Sequence, residues 1–95
     1  MYQVSLTQNA NQDLEDIAEY ISLDNPYRAI SFVQELIEYA IHTLSHYPAT
    51  GTKHRHSYRK AYKRYLIFYD IVEQDKRVVI THIKNPAQYT AYYQL

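Results

Sequence analysis

Between positions 53 and 65 the chain crowds basic and aromatic side chains together: Lys53, His54, Arg55, His56, Tyr58, Arg59, Lys60, Tyr62, Lys63, Arg64 and Tyr65. Basic side chains hold phosphates, and interleaved tyrosine rings stack on unpaired bases. The partner this implies is RNA, single-stranded nucleic acid or an acidic protein segment. A solvated polar hairpin has the same composition. General acid–base chemistry needs groups that titrate near the working pH, or cations that shift other groups. His54, His56 and His82 fit the first description, and Tyr93 offers a phenol beside a phosphate. Taken singly, a strand histidine or a terminal tyrosine is more often structural.

Other chemistries find little support. There is no cysteine, which excludes a disulfide scaffold and a thiolate metal site. No HExxH-like spacing occurs, and a zinc site needs a third ligand beside His54 and His56, with His82 placed across the sheet. If 54–60 is one strand, His54 and His56 point the same way. His42 and His46 stand four apart near the end of a helix-like segment, where they cap it. No Ser-His-Asp pattern and no glycine-rich phosphate loop appears.

The elements that must position these residues belong to one domain, residues 1–95, with a thin core. The longest apolar run, Tyr65 to Tyr69, is far short of the roughly 20 residues that span a bilayer. The N-terminus lacks the pattern of a signal peptide. The expectation is a cytoplasmic protein with no membrane partner. Ten Lys and Arg balance ten Asp and Glu, but not evenly along the chain. Residues 1–50 carry a net −6 and residues 51–95 a net +6. An anionic partner therefore belongs on residues 53–84, away from the first half.

Tyr2, Val4 and Leu6 alternate with polar residues, which predicts a short strand. Thr7 or Asn9 caps a helix in which Ala10, Leu14, Ile17, Ala18 and Ile21 recur at helical spacing, with Glu15, Asp16 and Glu19 opposite. Asn25-Pro26 opens a second helix, to about His46, with Ile30, Val33, Leu36, Ile37, Ala40, Ile41 and Leu44 on its stripe. Tyr47 to Gly51 is a loop. Three strand-like segments follow: a polar one from His54 to Lys60, a strongly apolar one from Arg64 to Glu73, and Arg77 to Lys84. Gln74-Asp75-Lys76 is a tight turn, and Ala87 to Gln94 is a short helix or a tail. The fold class is α+β: an N-terminal strand and an antiparallel helical hairpin on one face of a mainly antiparallel sheet. The central strand is apolar on both sides, so the other face is expected to be a ligand groove or a partner-covered surface.

Several stretches resemble, in order and spacing, the toxins of the RelE/ParE superfamily. They are Asp13-Leu14-Glu15-Asp16-Ile17-Ala18-Glu19-Tyr20-Ile21, then Asn25-Pro26, then Leu44-Ser45-His46-Tyr47-Pro48-Ala49-Thr50-Gly51, then Arg64-Tyr65-Leu66-Ile67-Phe68-Tyr69-Asp70-Ile71. The most specific parts are the Leu-x-x-x-Pro-x-x-Gly loop and the tyrosine-rich central strand. The resemblance implies the toxin of a type II toxin–antitoxin (plasmid stabilization) pair, a cause of growth arrest until a cognate antitoxin wraps it. RelE-like members cut mRNA on the ribosome without metal or cofactor. ParE-like members inhibit DNA gyrase and are not enzymes.

The chain departs from both branches. RelE-like ribonucleases carry an arginine where this chain has Leu66, and Arg64, two positions earlier, is expected on the same face. Their basic residue after the last strand falls at Ala87 or Gln88. The ParE-like arginine near His82 and histidine near Asn85 are not kept. Tyr92 or Tyr93 stands near the terminal tyrosine of the ribonuclease branch. A ribonuclease site here would use Arg59, Lys60, Arg64, His82 and Tyr93, and target binding would use Lys53, Arg55, Arg59, Lys63, Arg64 and Lys84. The long helical hairpin favours the ParE-like branch and DNA gyrase. The alternatives are a ribosome-dependent mRNA endonuclease, and a decayed toxin that only binds its antitoxin.

Overall fold

The computed structural model describes residues 1–85, so Tyr93 and the expected 87–94 segment lie outside the described residues. The chain runs β1 (Gln3–Leu6), α1 (Gln8–Ser22), α2 (Pro26–His46), β2 (Thr52–His54), β3 (Ser57–Tyr62), β4 (Tyr65–Val72) and β5 (Arg77–Lys84). Single 3-10 turns at Pro48–Thr50 and Glu73–Asp75 make two of the connections. The five strands form one sheet in the order β1-β5-β4-β3-β2. β1 pairs β5 in parallel, and every other neighbouring pair is antiparallel.

Local chemistry sets the helix ends. Thr7 Oγ1 accepts the Ala10 N–H at 3.1 Å, and Asn25 Oδ1 accepts that of Arg28 at 3.1 Å. Pro26 sits in the first turn of α2, where its missing N–H costs nothing. At the far end His46 Nδ1 lies 2.8 Å from the His42 carbonyl, a side-chain cap on the last turn.

Both helices lie on one face of the sheet. Leu14 and Ile17 of α1 and Phe32, Leu36, Ala40 and Leu44 of α2 pack on Ile67, Tyr69, Val78, Ile80 and Ile83. The stripe of α2 is turned from the expected one. Ile30 and Ile41 are 63% and 45% exposed, while Ala29 and Phe32 are buried in their place. Phe32 is the reason. Its ring stands 5.5 Å from Tyr65 and 6.0 Å from Tyr62, and seating it there rotates the two isoleucines outward.

The polar segment after Gly51 is two strands. Arg55 takes a left-handed conformation (φ 58°) and folds β2 back on β3. His56 therefore lies in a turn, so His54 and His56 do not alternate along one strand. β4 starts at Tyr65, with Lys63 (φ 54°) and Arg64 as the turn before it. Strand alternation therefore does not reach Arg64, and its expected place beside Leu66 is not met. At the next turn the 3-10 stretch ends on Lys76, also left-handed (φ 51°).

β5 holds a bulge. Phe68 pairs with His82 but Tyr69 pairs with Ile80, so Thr81 is an extra residue. Without it, Ile80 and Ile83 would point to opposite faces, since their separation is odd. The bulge puts both in the core and turns His82 to the face away from the helices.

Candidate functional site

On the face opposite the helices, three neighbouring strands bring Arg59, Phe68 and His82 into one row, because Phe68 pairs with Arg59 on one side and His82 on the other. The Arg59 guanidinium lies over the Phe68 ring, 5.5 Å from its centroid. Phe68 itself is only 6% exposed. Guanidinium, ring and imidazole in a row suit an anionic ligand: charge-assisted hydrogen bonds from arginine and a proton donor or acceptor from histidine.

Asp13 of α1 anchors one end of the row. β1 stops at Leu6, opposite Ile80, so the outer edge of β5 beyond that point lacks a strand neighbour. Thr7 Oγ1 donates to the Thr81 carbonyl at 3.0 Å, and Asp13 Oδ2 accepts the Ile83 N–H at 2.9 Å. Asp13 Oδ1 also accepts from Lys84 Nζ at 2.8 Å, and His82 Nδ1 is 3.7 Å from Oδ2. The carboxylate is buried, unlike its exposed neighbours Glu15 and Asp16. By sequence Asp13 is one of seven acids in residues 1–50, with no site role assigned to it. Its helical position, one turn before Ile17 and beside Leu14, was the available signal.

The remaining expected site residues are spread. Lys60 pairs with Ile67 on the helix-bearing face, and its Nζ donates to Thr50 Oγ1 at 3.3 Å. Lys53 lies 6.0 Å from the Tyr58 ring centroid, also on that side. Arg55 is in the β2–β3 turn, and Lys63 and Arg64 form the β3–β4 turn. Lys84 is engaged by Asp13. The structure thus brings Arg59 and His82 together and sets Lys60 and Arg64 apart from them. Among the described residues no group of three His, Cys, Asp or Glu side chains could hold a metal ion.

The tyrosines of the basic stretch do not form one exposed row along the sheet; Tyr65 alone of the four lines a groove. Tyr58, Tyr62, Tyr65 and Tyr69 all face the helices through their register with one another and with Ile67. Tyr58 stacks on Tyr69 (centroids 5.4 Å, planes 18° apart), and Tyr62 meets Tyr39 at 4.7 Å. Within β3 the rings of Tyr58 and Tyr62 share the helix-bearing face with Lys60, Arg59 alone of the cations takes the outer face, and Arg55, Lys63 and Arg64 sit in turns.

The Leu-x-x-x-Pro-x-x-Gly loop and the central strand lock together at one hydroxyl. Leu44 is the last fully buried apolar residue of α2. Tyr69 Oη donates to the Pro48 carbonyl at 2.7 Å and accepts the Gly51 N–H at 3.0 Å. A Cβ on Gly51 would stand 2.6 Å from both the Arg59 carbonyl oxygen and Tyr69 Oη, so only glycine lets the loop approach this closely. Burial pushes the Tyr69 phenol above its ordinary pKa, partly offset by the Gly51 N–H.

A helical hairpin on one face of a five-stranded, mainly antiparallel sheet is the architecture that the resemblance to the small toxins described above implies. The model of the family "ParE toxin of type II toxin-antitoxin system, parDE" matches residues 4–88, and the chain belongs to that family. It is therefore a toxin of the type II toxin–antitoxin class, within the RelE/ParE superfamily. Solved structures share the fold. A chain of the chromosomal ParDE system of P. aeruginosa matches with TM-score 0.75 and 20% identity, over 90% of this chain and 96% of that one. A chain of the RelBE2 toxin–antitoxin complex from Mycobacterium tuberculosis matches with TM-score 0.71 and 24% identity, over 90% and 92%. The isolated E. coli RelE toxin matches more distantly, with TM-score 0.56 and 10% identity, over 99% and 98%. No curated protein matches the sequence. Among the described residues no helix is long and apolar enough to cross a membrane.

Proposed function

We propose that this toxin arrests growth in the cytoplasm by inhibiting DNA gyrase, and that a cognate antitoxin neutralises it. The match to the ParE family model over residues 4–88 carries this reading. The dispersal of Lys60 and Arg64 away from Arg59 and His82 supports a protein that binds its target over one that cuts RNA. Similar chains solved in toxin–antitoxin complexes support the antitoxin partner. The deciding assay adds the purified chain to gyrase and relaxed plasmid, with primer extension on cellular transcripts run in parallel. Blocked supercoiling beside intact transcripts is the expected outcome. Codon-linked cuts with normal supercoiling would replace gyrase by the ribosome.

A second reading, a metal-independent mRNA endonuclease, draws on the row itself. Arg59 would hold the scissile phosphate and His82 would move a proton, the usual division between a fixed cation and a proton carrier. In that case Arg59→Ala and His82→Ala each lower cleavage by about a hundredfold, the lower end of what general acid–base groups supply. A chain that binds its antitoxin but arrests no host would instead be a decayed toxin.

A further inference from the structure

At the far end of the helical hairpin a second concave site lies on the other side of the sheet from Arg59 and His82. It is a groove of about 700 Å³ between the α1–α2 end of the hairpin and the β3–β4 turn. Ile21, Phe32 and Tyr65 line it, and Tyr20, 71% exposed, stands at its wall. Its charged lining is entirely cationic: Arg28, Lys63 and Arg64. Glu35 pairs with two of these cations, 2.9 Å from Arg28 and 4.0 Å from Lys63, and Asp13 and Asp16 line an adjoining hollow that shares Tyr20 and Tyr65. Arg64 has no acid paired with it: it is exposed and has no hydrogen-bond or ion-pair partner among the described residues. The cations also cluster on the apolar floor. Arg28 and Lys63 lie 5.3 and 5.8 Å from the Phe32 ring centroid.

The turn that carries two of these cations is unusual. In a two-residue hairpin turn, glycine or asparagine normally takes the left-handed position. Here it is Lys63, with Arg64 beside it. The chain has left-handed cations at Arg55 and Lys76 as well, but neither lines this groove.

We propose that this groove binds a nucleoside phosphate, with the base against Tyr20 and Tyr65 and the phosphate on Arg64 and Lys63. Volume, flat apolar walls and a cationic end suit that ligand class: such sites usually measure several hundred Å³, aromatic faces stack bases, and guanidinium forks match phosphate oxygens. A carboxylate segment would use the charges but not the aromatic faces. The proposal holds whichever target the toxin has, because the groove and the Arg59–Phe68–His82 row lie on opposite faces of the sheet.

The test is an amide-detected NMR titration of the isolated chain with AMP, then with a ribotetranucleotide, at millimolar concentration. Shifts at Ile21, Phe32 and Lys63–Tyr65 are expected. Arg64→Ala should weaken binding by about fivefold or more, the worth of one charge-assisted contact. Lys63→Gly should weaken it similarly while retaining the fold, since glycine suits the left-handed turn. A tetranucleotide binding about tenfold tighter than AMP assigns the groove to unpaired nucleic acid, and equal affinities assign it to free nucleotides. The proposal is overturned if neither ligand shifts these amides, or if shifts appear only around Arg59, Phe68 and His82. It is equally overturned if a polyglutamate peptide occupies the groove and nucleotides do not.

Discussion

Asp13 stands in for a missing strand at Ile83: its Oδ2 accepts the Ile83 N–H at 2.9 Å, where β1 no longer runs beside β5. An exposed strand edge invites pairing with other chains, and a helix carboxylate closes this one. The same group holds Lys84 and lies near His82, so it ties α1 to the Arg59–Phe68–His82 row.

Asp13→Ala should therefore cost about 2–3 kcal/mol, the penalty of a buried donor and a cation left without their acceptor. Asp13→Asn should recover part of it, because an amide oxygen still accepts from Ile83. Urea denaturation measures both. A cost for Asp13→Ala below about 1 kcal/mol, the scale of an ordinary net hydrogen bond, would show that water replaces the carboxylate freely.

Gly51→Ala should destabilise the fold by about 1–3 kcal/mol through overpacking, since the new methyl meets the Arg59 carbonyl and Tyr69 Oη at 2.6 Å. Adding Tyr69→Phe removes the hydroxyl clash but not the carbonyl one. The double variant should thus lose less than the sum of the two single losses in a thermal-denaturation cycle.

Tyr69 also predicts the alkaline limit of stability. Burial raises its folded-state pKa above the ordinary value of 10.0, and the unfolded chain has the ordinary one. Its contribution is complete below the unfolded pKa. It is lost as pH rises from there through the folded pKa, because the unfolded state ionises first. Tyr65, raised mainly by burial, adds to the same trend. Denaturation midpoints should fall above about pH 10, and Tyr69→Phe should flatten that fall while lowering stability at neutral pH. An unchanged alkaline slope in Tyr69→Phe would assign the trend to other groups.

The rotated stripe of α2 gives a contrast between neighbours. Leu36 is fully buried, and Leu36→Ala should cost about 3 kcal/mol. Ile30→Ala, at a 63% exposed site, should cost less than about 1 kcal/mol. Equal losses in chemical denaturation would place Ile30 in the core.

Much of the fold is legible in the sequence because its signals are local. Thr7 and Asn25-Pro26 mark helix starts through bonds that reach three residues, and the stretch from Arg64 to Glu73 reads as a strand from its own composition, one residue longer at each end than the strand observed. The Leu-x-x-x-Pro-x-x-Gly loop and the tyrosine-rich strand also stand in plain view and carry the resemblance to the right superfamily. What the sequence leaves undecided depends on parity and on partners distant along the chain. One extra residue at Thr81 turns His82 to the outer face, and one turn at Arg55 separates His54 from His56. The shape of Phe32 sets which side of α2 is inside. Asp13 is an ordinary helix acid until β5, seventy residues later, brings an unpaired N–H to it. Only the tertiary structure decides these points, because a side chain's face and a carboxylate's partner are set by which strands and helices meet, not by which residues are adjacent.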